Sequence, residues 1–241
     1  MNVGEVSGTQ NEVGDGPEMQ ARSVAIHEAI KAMRDLDLSN PSTFTTLPFP
    51  SLLPMPPQRF ERRKVGDMNY FEYMGRNLFS ELHKRIQDAN FLDRTENLYL
   101  YGTSGSGKSH LLAALAYTLI RERKRVFYIP DCSTFLLGPA EIMWKALQFA
   151  FHDSNILKTI KDRYDTDELI HFISKHRDLY IIVDQVNALE DEESNTCKAK
   201  ECLKGLRLDH LYIFSASANE APTAKLIRGN VELRFSEYLE G

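Results

Sequence analysis

Gly102-Thr103-Ser104-Gly105-Ser106-Gly107-Lys108-Ser109 is the stretch that decides the fold. Its spacing, G-x4-G-K-S, is that of a phosphate-binding loop. Glycine permits positive φ and lets the backbone close on an anion. Successive N–H groups then turn inward as an anion nest, and a following helix adds the partial positive charge of its N-terminus. A lysine at position 108 reaches β- and γ-phosphates, and the Ser109 hydroxyl can ligate Mg²⁺. The flanks suit this chemistry. An apolar run, Asn97-Leu-Tyr-Leu-Tyr101, precedes the loop, and a helical run, His110-Leu-Leu-Ala-Ala-Leu-Ala116, follows it. The residues expected to hold a nucleotide are therefore Gly102, Thr103, Ser104, Gly105, Ser106, Gly107, Lys108 and Ser109, with His110 beside them.

Downstream, short apolar runs alternate with helical stretches. Strands are expected at 98–101, 126–129, 179–183 and 211–216, and helices at 108–123, 139–151, 166–176 and 195–203. Alternation of this kind predicts parallel pairing with helices on both faces. The expected fold is α/β, a three-layer P-loop NTPase with a mainly parallel sheet of order 5-1-4-3-2. A fifth strand is the open element of that order. Without one, the first strand would lie at an exposed edge. Three remedies are expected: cover by the N-terminal segment, a short strand at 231–235, or a longer natural protein.

Tyr180-Ile-Ile-Val-Asp184 reads as a buried parallel strand that ends in a carboxylate. Ligands gather at the carboxyl ends of such strands, so Asp184 is expected to hold Mg²⁺ opposite Ser109. ATPases with an extra strand between the two motif strands usually carry glutamate at the next position. Here it is Gln185, which can orient a water but cannot take its proton. The fourth strand leads to Ser217-Ala-Asn219, where Asn219 or Ser217 is expected to touch the γ-phosphate or its attacking water, the alternative being that Asn219 caps a helix before Glu220. The expected catalytic set is Lys108, Asp184, Gln185 and Asn219, and the expected metal ligands are Ser109 and Asp184. Arg228 is a further cation near that end of the chain, read more readily as a surface arginine. The acidic run Glu190–Glu193 reads as a solvated loop.

The remainder of the chain sets bounds. Its 241 residues suffice for one α/β domain and extra segments. Residues 1–19 are poor in apolar groups and are expected to be disordered. Residues 20–66 are expected to form an N-terminal helix (21–36) and a linker or strap, because 39–57 holds six prolines in nineteen residues. The NTPase domain is expected over 67–241, opening on an amphipathic helix at 68–90 and cut short at its C-terminus. A net charge of −5 offers no support for a nucleic-acid partner. Two local basic clusters, Arg121–Arg125 and Arg59 with Arg62, Arg63 and Lys64, read as surface features. Three cysteines without a CxxC pair fit a reducing compartment. The N-terminus lacks the pattern of a signal peptide, and no stretch is apolar enough to span a membrane, so an intracellular location is expected. A protein partner or self-association is left open.

Three runs carry a family resemblance: Tyr101 to Leu112, Arg125 to Cys132, and Tyr180 to Leu189 with its Asp-Gln pair. Together they resemble the ATPase region of Crinkler-type proteins of oomycetes and fungi, over roughly residues 70 to 230. That resemblance implies a P-loop NTPase domain of AAA/STAND type, ATP and Mg²⁺ as ligands, and a nuclear location for some members. No Leu-Phe-Leu-Ala-Lys motif stands near the N-terminus, and no nuclease-like domain follows the NTPase region in this sequence. The expected function is ATP binding with slow, Mg²⁺-dependent hydrolysis. The alternatives are a nucleotide-gated switch without significant turnover and, with less support, a nucleotide or small-molecule kinase. No guanine-recognition motif is present to favour GTP.

Overall fold

The computed structural model describes residues 17–61, 63–88, 97–189, 194–206, 210–217 and 231–234. It opens with helix α1 (Pro17–Ala32), followed by strands β1 (Phe44–Pro48), β2 (Arg63–Val65) and β3 (Met68–Met74), and helix α2 (Asn77–Asp88). Then come β4 (Asn97–Gly102), α3 (Lys108–Arg121), β5 (Arg125–Ile129), α4 (Cys132–Phe135), α5 (Pro139–Ala150), α6 (Thr166–Lys175) and β6 (Leu179–Val183). Helix α7 (Ser194–Leu206), β7 (Leu211–Ser217) and β8 (Val231–Arg234) complete the order, with 3-10 turns at Ile156–Thr159 and Val186–Leu189.

Two sheets result. The larger is parallel throughout, in the order β5-β6-β7-β4-β8. This is the expected order, with β8 as the fifth strand. Leu98 pairs with Val231, so β8 covers the edge of β4 that would otherwise stand bare.

Side-chain alternation divides the core. Leu98, Leu100, Val126, Tyr128, Tyr180, Ile182, Leu211 and Ile213 face α3 and the N-terminal elements. Tyr99, Phe127, Ile129, Leu179, Ile181, Val183, Tyr212 and Phe214 face α5, α6 and α7. The strands are apolar on both faces because both are covered.

The N-terminal region differs from its sequence reading. The stretch 68–90 is not one helix. Phe71, Met74, Leu78, Leu82 and Ile86 fit a helical face, but Asn69, Phe71 and Tyr73 also alternate with Met68, Tyr70 and Glu72. The structure follows the alternation as far as Met74. Gly75 then ends the strand. A Cβ there would lie 2.0 Å from the Asn40 carbonyl oxygen, so the backbones meet where only glycine fits. The proline-rich stretch 39–57 is extended, as expected, but it is not a loose linker. It contains β1, which pairs antiparallel with β3 from Phe44↔Met74 to Pro48↔Tyr70. The first helix begins at Pro17, not Ala21, with proline in the first turn where its missing N–H costs nothing. Against the disorder expected over 1–19, Pro17, Glu18 and Met19 are helical, and residues 1–16 lie outside the described residues.

Leu47, Phe49, Phe60, Phe71 and Tyr73 are all at most 1% exposed and pack onto α3. This explains a helix buried nearly all round. It lies between the parallel sheet and the small β1–β3 sheet.

Candidate functional site

All five parallel strands run the same way, so Gly102, Ile129, Val183 and Ser217 end on one edge of the sheet. The phosphate loop leaves that edge from β4. Gly105 and Gly107 have φ of 82° and 81°, the left-handed region the loop requires. Gly107 caps α3 without a side-chain hydrogen bond, as a helix end suited to an anion does. The Lys108 ammonium donates to the carbonyls of Gly102 at 2.7 Å and Thr103 at 2.8 Å, and to Ser106 Oγ at 3.2 Å. Burial lowers the Lys108 pKa, opposed by the charge of Asp184. Ser109 is buried in the first turn of α3, while Thr103, Ser104 and Gly105 are exposed.

Asp184 follows Val183, whose partner across the ladder is Phe214. It therefore stands level with Ser215, and Ser215 Oγ donates to Asp184 Oδ1. The Asp184 backbone is held as well: its N–H donates to Ile129 at 2.9 Å, and its carbonyl accepts from Cys132 at 3.1 Å. The side chain is 0% exposed. Its counter-ion is Arg59, which donates to Asp184 Oδ2 at 3.0 Å, to Asp131 Oδ2 at 3.0 Å and to the Pro130 carbonyl. Burial works against the Arg59 charge, but the two carboxylates outweigh it and raise its pKa. Asp131 also caps α4, accepting from the Ser133 N–H at 2.8 Å.

A second arginine reaches the loop from the small sheet. Arg76 donates to the Ser106 carbonyl at 2.8 Å. Its guanidinium lies across Gly107, where a Cβ would come within 2.1 Å of it. His110 sits behind the loop with its ring 4.7 Å from that of Phe60. Burial, then the charges of Arg76 and Arg59, push its pKa down.

The structure thus brings Gly102–Ser109, His110 and Asp184 to one edge. Gln185 follows Asp184 in a left-handed conformation, φ 60°, and its N–H meets Ser215 Oγ at 3.3 Å. A glutamine at positive φ is an uncommon, costly backbone state. Asn219, Arg228 and Glu190–Glu193 lie outside the described residues. Sequence reasoning missed Arg59, Arg76, Asp131 and Ser215. Asp131 carried a usable signal, since it closes an apolar parallel strand much as Asp184 does. Arg59 was read as part of a surface cluster, and nothing local distinguishes it.

Residues 59–141 match the family model of the IstB-like ATP binding protein. The matched segment holds the phosphate loop, Arg59, Arg76 and Asp131, and stops short of Asp184. The chain is an ATP-binding P-loop NTPase. The family finding corrects the Crinkler-type resemblance: the matching model is the IstB-like one, and the nuclear location implied by that resemblance goes with it. No curated protein matches the chain. Among solved structures, the chain is similar to AMPPCP-bound DnaA from Aquifex aeolicus, at 17% identity and a TM-score of 0.38, over 65% of this chain and 44% of that one. It is also similar to a DNA replication initiation factor, at 16% identity and a TM-score of 0.40, over the same shares. The chain therefore spans less than half the length of either. Among the described residues, no helix is long and apolar enough to cross a membrane.

Proposed function

We propose that the chain hydrolyses ATP slowly, with Mg²⁺ held between Ser109 and Asp184. The observation that carries this reading is the position of β7. It lies between β4, which bears the phosphate loop, and β6, which bears Asp184, and its Ser215 binds Asp184. The extra strand separates the two motif strands, the arrangement of ATPases in which the residue after the acidic strand end acts on the attacking water. A hydroxyl and a carboxylate are a hard-oxygen donor set that suits Mg²⁺, which needs few protein ligands once phosphates supply others. Bound there, the metal would supply charge neutralisation on the phosphates.

The chain's own residues divide the remaining work. Gly102–Ser109 would cradle the β- and γ-phosphates, with Lys108 exchanging its contacts to Gly102 and Thr103 for phosphate oxygens. Gln185 would orient the attacking water through its amide. Asn219 would contact the same water or the γ-phosphate. The water oxygen forms a bond to the γ-phosphorus, the bond to the β–γ bridging oxygen breaks, and ADP leaves. Gln185 cannot accept the water's proton, which passes to a phosphate oxygen. That route is the reason to expect slow turnover.

The test is phosphate release from purified protein. Wild type turns over slowly with Mg²⁺, Lys108→Ala abolishes release, and Gln185→Glu raises it at least about tenfold, the low end of general-base effects. Release that Lys108→Ala leaves unchanged contradicts hydrolysis at this site. A second reading is favoured by the glutamine itself: a switch that binds ATP and holds it. Stoichiometric ATP recovered intact after long incubation with wild type would select the switch.

A further inference from the structure

Both Asp184 oxygens already have partners. Oδ1 accepts from Ser215 and Oδ2 from Arg59, and the side chain is 0% exposed. A cation that binds Oδ2 directly meets the guanidinium there, and the two positive charges repel. We infer that Arg59 is a built-in stand-in for the divalent cation: it neutralises Asp184 and Asp131 in the metal-free protein and swings off Asp184 when the metal arrives with nucleotide. This rests on the metal reading of Asp184 given above.

The surroundings of Arg59 suit a side chain that moves on a fixed backbone. Phe60, next in sequence, is 1% exposed and packs against Phe49, Phe71 and His110. Pro56 and Pro57 stiffen the approach from the other side. The segment is therefore pinned, while the Arg59 side chain keeps 22% exposure and an open direction. Two buried carboxylates without a counter-ion would carry a large desolvation cost, so a cation must stand there at all times. Arg59 and a divalent cation are alternatives for that duty, because two cations on one carboxylate oxygen repel. Released from Asp184, the guanidinium keeps its ion pair with Asp131. Arg59 is thus a positioning residue that couples metal binding to nucleotide binding.

The test is the Mg²⁺ dependence of ATP binding by the full chain, taken as the ratio of Kd in excess EDTA to Kd in Mg²⁺. Loss of the long-range attraction of the Arg59 charge for ATP affects both constants, so the ratio isolates the competition. Arg59→Ala should raise the ratio at least about fivefold, because the metal no longer displaces a guanidinium. Asp184→Asn should bring it close to one in either background. An unchanged ratio in Arg59→Ala, with the Asp184→Asn effect intact, overturns the stand-in and leaves the metal reading standing. A ratio that ignores Asp184→Asn overturns both. Arg59→Ala leaves two carboxylates unpaired and risks misfolding, so the wild type supplies an independent readout. In ¹⁵N-arginine-labelled protein, the Arg59 Nε resonance, assigned by its loss in Arg59→Lys, should hold with ATP in EDTA and shift when Mg²⁺ is added. A resonance unmoved by Mg²⁺ in ATP-saturated protein overturns the inference.

Discussion

The two halves of the nucleotide site are built in opposite ways. At the phosphate loop, Lys108 is held by Gly102 and Thr103, no more than six residues away. At the acidic half, Asp184 is held by Ser215, 31 residues away, and by Arg59, 125 residues away. The first half is assembled by local backbone geometry. The second gains its counter-ion only when the N-terminal segment that bears Arg59 has packed onto α3. Loss of the N-terminal packing should therefore take Arg59 from the acidic half and Arg76 from the loop, whose local Lys108 contacts remain.

The largest expected effect tests that dependence. Phe71→Ala empties a fully buried position between the small sheet and α3. It should cost about 4 kcal/mol of stability, the usual scale for a buried aromatic truncation. Chemical denaturation measures it, and a loss under about 1 kcal/mol would mean the N-terminal cover is not part of the core.

The same cover should show in the pH dependence of stability. His27 on α1 stacks on His152 at 3.6 Å, and its pKa is lowered to about 4, first by burial and then by His152. The folded state holds the ring neutral while the unfolded chain protonates it near pH 6.5. Between those values the unfolded state binds more protons, so stability falls as pH drops from about 6.5 toward 4. The loss is at most about 3.5 kcal/mol, as each pKa unit is worth about 1.4 kcal/mol. Denaturation midpoints across that window should slope in wild type and slope less steeply in His27→Phe, with burial of His110 and His152 keeping part of the slope. Parallel curves would remove His27 as the cause.

Smaller effects belong to the site itself. Gly107→Ala places a Cβ at φ 81° and onto the Arg76 guanidinium. A cost of about 1–2 kcal/mol is expected from the backbone alone. Thermal melts with and without ATP should show both a lower Tm and a weaker ATP shift. A variant that loses Tm but keeps the full ATP shift would show that Arg76 can yield without disturbing the loop. Gln185→Gly relieves a positive φ and should gain at most about 1 kcal/mol, partly offset by glycine's unfolded-state freedom. A gain in Tm with a loss of phosphate release would mark Gln185 as strained for function.

The same contrast decides what was legible in the sequence. The loop and the parallel strands were readable because glycine spacing and apolar runs report local conformation. Strand and helix ends from Asn97 to Ser217 fall close to their expected positions. The order 5-1-4-3-2 followed from the motif, and β8 supplies the strand that was left open. The small sheet was not legible. In 68–90, alternation and a helical stripe share Phe71 and Met74, and only Gly75 separates them. Nor was the company of Asp184. An arginine in a basic run says nothing of a carboxylate 125 positions away. Packing, not propensity, chose that pairing.

The measurement closest to the central claim is calorimetric titration of ATP, with Mg²⁺, into wild-type protein and Lys108→Ala. Saturable binding at one site per chain in the wild type, lost or weakened at least about tenfold in the variant, is the predicted result, since a charge-assisted phosphate contact is worth about 1.5–3 kcal/mol. Equal ATP affinity in the two proteins would contradict it.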